Sequence, residues 1–388
     1  MDANLFRSHT LQDPRILRIL SAALDAVEPG KIVRDFLATA TLPPHQRIFL
    51  LGIGKASEPM TLAAADVLPH FTDAFIVTKH ASHPGFDRIV GMEAGHPIPD
   101  QRSLAAGQAA LDFVSKLNAD DLLICLISGG GSALVTTPRE NVSLEEIQSR
   151  TSALLASGAP INEINNLRRQ LDRIKGGGLA RATKAQVISL ILSDVIGNSL
   201  ETIASGLTVD PSLGTRVQNI IVGDIQVAAQ AAQEQAKREG FDAEIFSLNI
   251  QGEAKEMGLQ LAKKLIDERK KKQHPFCLIA GGETTVTLEG NGAGGRNQEL
   301  ALAAVDELSG VENVFLITLA TDGDDGPTNA AGAAVNGVSR QRAERLGMAA
   351  PAYLSRNDAY SFFDPLGDLI KCGYTGTNVN DLVFLIGL

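Results

Sequence analysis

The sequence has no long basic block and no apolar run of membrane length. The first absence argues against nucleic acid or an anionic membrane surface as the main partner, as does a formal net charge of −10 over 388 residues. The amino terminus, Met1-Asp2-Ala3-Asn4-Leu5-Phe6-Arg7, also lacks a charged segment followed by an apolar one. Together these features lead us to expect a soluble, cytoplasmic chain. Cysteine is scarce. Cys125, Cys277 and Cys372 lie far apart, in or beside apolar runs and without CxxC spacing. Buried free thiols in a reducing compartment fit better than a disulfide or a zinc site. Fixed-period repeats and low-complexity tracts are absent too.

What is present is ordinary for a soluble enzyme: 44% apolar residues, 21% charged, and length enough for two domains. Short continuous apolar runs at 48–51, 74–78, 122–127, 187–192, 219–222 and 244–248 alternate with helical patterns. Those patterns cover 14–27, 31–38, a small-residue stretch ending near 67, 103–117, 144–155, 163–174 and a long segment ending near 239. Such alternation predicts an α/β fold with a mostly parallel sheet covered on both faces. A helix over 252–272 ends in Arg269-Lys270-Lys271-Lys272 before Pro275. The basic run suits a solvated helix end, and a domain boundary is expected there. Beyond it come apolar runs at 276–280 and 314–320, a helix over 298–308 and a last strand after residue 381.

Chemistry is expected at the carboxyl ends of the strands, where parallel sheets bind ligands. Gly52-Ile53-Gly54-Lys55-Ala56-Ser57 follows the first strand. A dinucleotide fingerprint would need glycine at position 57 and an acid ending the next strand, where Lys79 and His80 stand. GxxxxGK[ST] is absent as well. What remains is Lys55 at the mouth of a sheet, suited to an anionic oxygen or a transferring phosphoryl group. Ser128-Gly129-Gly130-Gly131-Ser132 offers a nest of N–H and O–H donors, without the GxSxG elbow of a serine hydrolase. Asp194 ends another strand, placed to bind magnesium, to take a proton from a hydroxyl, or to cap its own turn. His83 and His96 each precede a proline and share no metal spacing; turn histidines are the default.

The densest loop is residues 281–299, Gly-Gly-Glu-Thr-Thr-Val-Thr-Leu-Glu-Gly-Asn-Gly-Ala-Gly-Gly-Arg-Asn-Gln-Glu. Its glycines, Arg296 and the helix start beyond them predict an anion site. Asp322, Asp324 and Asp325 form an acidic cluster suited to Mg²⁺, or simply to Asp-Gly turns; the closing glutamate of an EF-hand is missing.

These motifs, in this order and over nearly the whole chain, resemble the class II glycerate 2-kinases with a C-terminal MOFRL domain. The resemblance rests on 52–57, 96–100, 128–134, 165–178, 193–198, 281–299, 320–332 and 375–381. It implies a larger Rossmann-like domain, 1–272, and a smaller α/β MOFRL domain, 273–388, with the cleft between them. It further implies transfer of phosphate from ATP to the 2-hydroxyl of D-glycerate, with Mg²⁺. Lys55, Arg296 and Asp194 would be catalytic. Gly54, Ser57, Ser128, Gly129, Gly130, Gly131, Ser132, Gly282, Glu283, Gly294, Gly295 and Asn297 would bind substrate or phosphate, and Asp322 and Asp325 the metal. Self-association is compatible with all of this. Two departures stand out: the chain is shorter than many relatives, and Asn329 replaces a common aspartate. The rival readings are a hydroxypyruvate reductase, which needs a nicotinamide site, and a non-catalytic binder of phosphosugars or nucleotides.

Overall fold

A computed structural model describes residues 1–81, 88–157 and 161–388; His83 lies outside the described residues. Two compact units divide the chain. One comprises Pro29–Asp224, the other Met1–Glu28 together with Ile225–Leu388.

The unit Pro29–Asp224 is built on six parallel strands: β1 (Arg47–Ile53), β2 (Asp73–Thr78), β3 (Ile89–Glu93), β4 (Asp121–Ile127), β5 (Gln186–Leu192) and β6 (Val217–Gly223). Their order is β3-β2-β1-β4-β5-β6, the doubly wound arrangement. Alternation along each strand sends side chains to both faces, and both are buried. Phe49, Leu51, Phe75, Leu123 and Val187 pack with Ala106, Ala110 and Val114 of the helix Gln101–Ser115. The helix Ser57–Val67 packs on β1, β2 and β4 and buries Met60, Ala63 and Ala64. Burial on two sides is why β1, β2, β4 and β5 read as unbroken apolar runs.

The second sheet contains β7 (Asp242–Ile250), β8 (Phe276–Gly282), β9 (Val314–Ala320), β10 (Gly332–Asn336), β11 (Leu369–Ile370) and β12 (Asp381–Gly387). Its order is β11-β10-β9-β12-β8-β7, with only β7 and β8 parallel. The compact units therefore divide elsewhere than at the expected boundary of 272. β7 pairs with β8, and the helix Ala254–Lys271 packs on the helix Arg296–Glu307, so the chain before Pro275 joins the later unit. The amino terminus joins it as well. The helix Pro14–Asp25 packs on Ile225–Arg238, Arg18 pairs with Glu239, and the Thr10 N–H donates to the buried Asp368.

The basic run Arg269–Lys272 ends its helix as expected, with Lys270 and Lys271 exposed beside Asp267 and Glu268. All three cysteines are buried free thiols, and burial pushes Cys125 and Cys277 up to about 12. Among the described residues no helix is long and apolar enough to cross a membrane.

Candidate active site

Strand order reverses between β1 and β4, so the loops leaving these two strands diverge at one point of the sheet's carboxyl edge. Main-chain bonds lace them together. The Ser128 N–H donates to the Ile53 carbonyl (3.0 Å), and the Lys55 N–H to the Gly129 carbonyl (2.9 Å). The Ser128 hydroxyl accepts from the Ala56 N–H (2.9 Å). A Cβ at Gly54 would stand 2.2 Å from that hydroxyl, so the crossing requires glycine. Two expected phosphate donors are thereby committed to the scaffold. Ser57 is fully buried, its hydroxyl donating to the Gly54 carbonyl (2.8 Å) with the Val77 carbonyl 3.2 Å away. Ser128 is also buried and serves the lacing.

Charge gathers on the next two glycines. A Cβ at Gly129 would lie 2.0 Å from Asp194 Oδ2. At Gly130, whose φ of +87° is left-handed, it would lie 3.1 Å from His96 Cδ2 and 3.2 Å from Lys55 Cγ. Asp194, Lys55 and His96 thus converge on one dipeptide. Among the described residues the Lys55 ammonium makes no hydrogen bond or ion pair. Burial raises the Asp194 pKa, while the charge of Lys55 opposes that rise. Burial drives His96 down to about 4, helped by Lys55, Lys79 and Arg168, so its ring is neutral at pH 7.

Gly131 begins the short helical turn Gly131–Leu134, and Ser132 follows it. The Ser132 hydroxyl shares a 2.8 Å bond with Ser205, which donates to Asn165 Oδ1 over 3.0 Å. Ala204 and Ser205 both hold positive φ, 49° and 56°. Consecutive left-handed residues other than glycine are strained and persist only where packing over-determines them.

Sequence reasoning left His96 as a turn residue and missed Arg168. The signal available was the polar helix expected over 163–174, whose Arg168 had no assigned task.

In the other unit Arg296 starts the helix Arg296–Glu307 and lies in a carboxylate clamp. Its Nε donates to Asp381 Oδ2 (2.5 Å), Nη2 to Asp381 Oδ1 (3.3 Å), and Nη1 to Glu283 Oε1 (2.8 Å). These carboxylates raise its pKa, against the opposing effect of burial.

The glycines around Arg296 differ from an open nest. The N–H groups of Glu289 and Gly290 donate to Asn357 Oδ1, that of Gly292 to the Arg356 carbonyl, and that of Ala293 to Asp358 Oδ1. A Cβ at Gly290 or Gly292 would strike residues 356 to 358. These glycines, with Gly282 against the Ile250 backbone and Gly294 beside Ala359, permit close packing. The helix start is occupied as well. Asp325 accepts from the Asn297 N–H (3.1 Å), the Asn297 amide (3.3 Å) and the Gln298 N–H (2.8 Å), and it lies against Gly295. The expected anion site at this helix end is filled by the protein's own carboxylate. Burial, only partly offset by those bonds, raises Asp325 to about 7. Asp325 thus holds the start of this helix, whether or not it also meets a metal. Asp322 is half-buried and accepts from the Asp324 N–H (3.3 Å). Among the described residues no three His, Cys, Asp or Glu side chains gather as a metal site.

Comparison with known proteins shows the family. Residues 15–238 match the domain of unknown function DUF4147, and residues 276–381 match the MOFRL family. The D-glycerate 2-kinase of Thermotoga maritima is 39% identical over 410 residues, covering 96% of this chain and 97% of that protein. A crystal structure of glycerate kinase from the same organism superposes with a TM-score of 0.89 at 38% identity, covering 96% of this chain and 98% of the other. A relative from Agrobacterium vitis, provisionally named a hydroxypyruvate reductase, is 36% identical over 412 residues, covering 95% of this chain and 93% of its own. With both domains matched in order and relatives aligned over nearly their full length, the chain belongs to the glycerate kinase family that carries a C-terminal MOFRL domain.

Proposed function

We propose that the protein is a glycerate 2-kinase, transferring the terminal phosphoryl group of ATP to the 2-hydroxyl of D-glycerate to give 2-phosphoglycerate and ADP. One observation carries this reading: an unpaired lysine and a carboxylate of raised pKa meet over Gly129 and Gly130 at the sheet's switch point. Phosphoryl transfer asks the protein for positioning and for charge stabilisation more than for covalent chemistry. Asp194, made more basic by burial, orients the 2-hydroxyl and takes its proton. Lys55 offsets negative charge on the transferring group. Gly129, Gly130 and Gly131 let phosphate approach the main chain.

Magnesium, the usual companion of ATP, is proposed to enter on the nucleotide's phosphates, since Asp325 is already bonded and Mg²⁺ seldom needs an all-protein cage.

The reductase reading is weaker. It needs an acid at the end of β2 to hold a ribose, and Lys79 stands there. The deciding assay supplies ATP and D-glycerate in one arm, NADH and hydroxypyruvate in the other. ADP release in the first alone supports the kinase; NADH oxidation in the second, without ADP in the first, removes it.

A further inference from the structure

Asn165, Arg168 and Asp172 are spaced three and four residues apart on the helix Ile161–Leu171 and the residue that follows it, and so share one face. The outer two anchor that face against the segment after β4. Asn165 reaches Ser132 through Ser205, and Asp172 accepts from the Thr137 N–H over 3.0 Å. Arg168 lies between them on that face, near enough to His96 for its charge to act on that ring.

Its guanidinium is half-buried and makes no hydrogen bond or ion pair among the described residues. The carboxylate that acts on it, Asp172, is already held by Lys175 at 3.0 Å and by the Ile174 N–H at 3.1 Å. Four cations (Lys55, Lys79, Arg168 and Lys175) face two carboxylates, Asp172 and Asp194, in this region. A surplus of that kind calls for an anion that arrives with the substrate.

We infer that Arg168 recognises the carboxylate of the acceptor and so restricts this enzyme to 2-hydroxycarboxylic acids. The inference rests on the glycerate kinase reading. Lys55 and Asp194 meet where the hydroxyl and the transferring phosphoryl group react, which leaves the acceptor's own anion to be held. Lys79 is exposed, and Lys175 is tied to Asp172 and to the Val135 carbonyl (2.7 Å). Arg168 is the uncommitted cation, and its planar fork matches a carboxylate with two parallel bonds.

The test uses the full chain with Arg168→Ala and Arg168→Lys, and compares D-glycerate with glyceramide, in which an uncharged amide replaces the carboxylate. Loss of a charged hydrogen-bonding partner is expected to raise the KM for D-glycerate by ~10–100-fold and to shrink the glycerate-to-glyceramide ratio of kcat/KM by a similar factor. The KM for ATP should stay within about threefold, a split that general loosening of the fold would not give. An unchanged ratio, or a KM rise confined to ATP, overturns the inference. Arg168→Lys keeps the charge and most of the length, so it reports even if the alanine variant misfolds. If wild-type protein releases no ADP with D-glycerate, the kinase reading fails first. Calorimetric titration of D-glycerate into wild type and Arg168→Lys then still decides: equal affinity, or no binding to either, sinks the role of Arg168.

Discussion

The Lys55 N–H donates to the Gly129 carbonyl over 2.9 Å, so the lysine that follows β1 is fixed to the loop that follows β4. The same glycine packs against Asp194, at the end of β5. Three strand ends thus hold one cation and one carboxylate in register, and the predictions below follow from that arrangement.

Asp194→Asn should keep the fold and lower kcat by ~10²–10⁴-fold, the usual range for loss of a positioned proton acceptor. Gly129→Ala should damage activity as well, because a methyl group there meets the Asp194 carboxylate at 2.0 Å. Steady-state kinetics with circular dichroism would separate the chemical effect from the structural one.

Arg296→Lys keeps the charge but cannot reproduce the fork that engages Asp381 and Glu283 together. Turnover should fall by ~10²-fold or more if the arginine also stabilises the transferring group. Rates near wild type in the lysine variant would assign Arg296 to structure alone.

Asp325→Ala removes the acceptor for the Asn297 and Gln298 N–H groups inside the protein. Each buried donor left unpaired costs about 1–3 kcal/mol, so thermal or urea denaturation should show a clear loss of stability. The magnesium dependence of activity in the surviving folded fraction should not change, since Asp325 is already bonded.

His96 gives a pH prediction. Its folded pKa, about 4, lies below its ordinary value of 6.5. Between those values the unfolded chain holds the extra proton, so stability falls as pH drops from about 6.5 toward 4. Above 6.5 the histidine contributes no slope. His96→Gln, which cannot take up that proton, should show a shallower acid-side loss in denaturation midpoints across this window.

Much of the fold was legible because most strands are buried on both faces or end beside glycine. Every apolar run read as a strand became one. The strands not foreseen were β3, β10 and β11. β3 is an edge strand with only Ile89 fully buried; β10 is Gly-Ala-Ala-Val-Asn; β11 is two residues long. None carries an apolar run. The pairing of β7 with β8 was not legible, because a strand's partner is chosen by tertiary contacts, which composition does not encode. At the site, Lys55 and Asp194 were readable as polar residues ending apolar strands. Ser57 and Ser128 look identical to phosphate donors in sequence, and only the fold turns their hydroxyls inward. Asp325 reads in sequence as an acidic loop residue, and its hold on a helix start shows only in the fold. His96 and Arg168 became visible only when residues far apart in the chain met.

The most direct test supplies ATP, Mg²⁺ and D-glycerate to the wild type and to Lys55→Ala, and reads the product by ³¹P NMR. The wild type should form 2-phosphoglycerate with ADP, and the folded variant should do so ~10²–10³-fold more slowly. A 3-phosphoglycerate product, or a Lys55→Ala protein with undiminished turnover, would contradict the account.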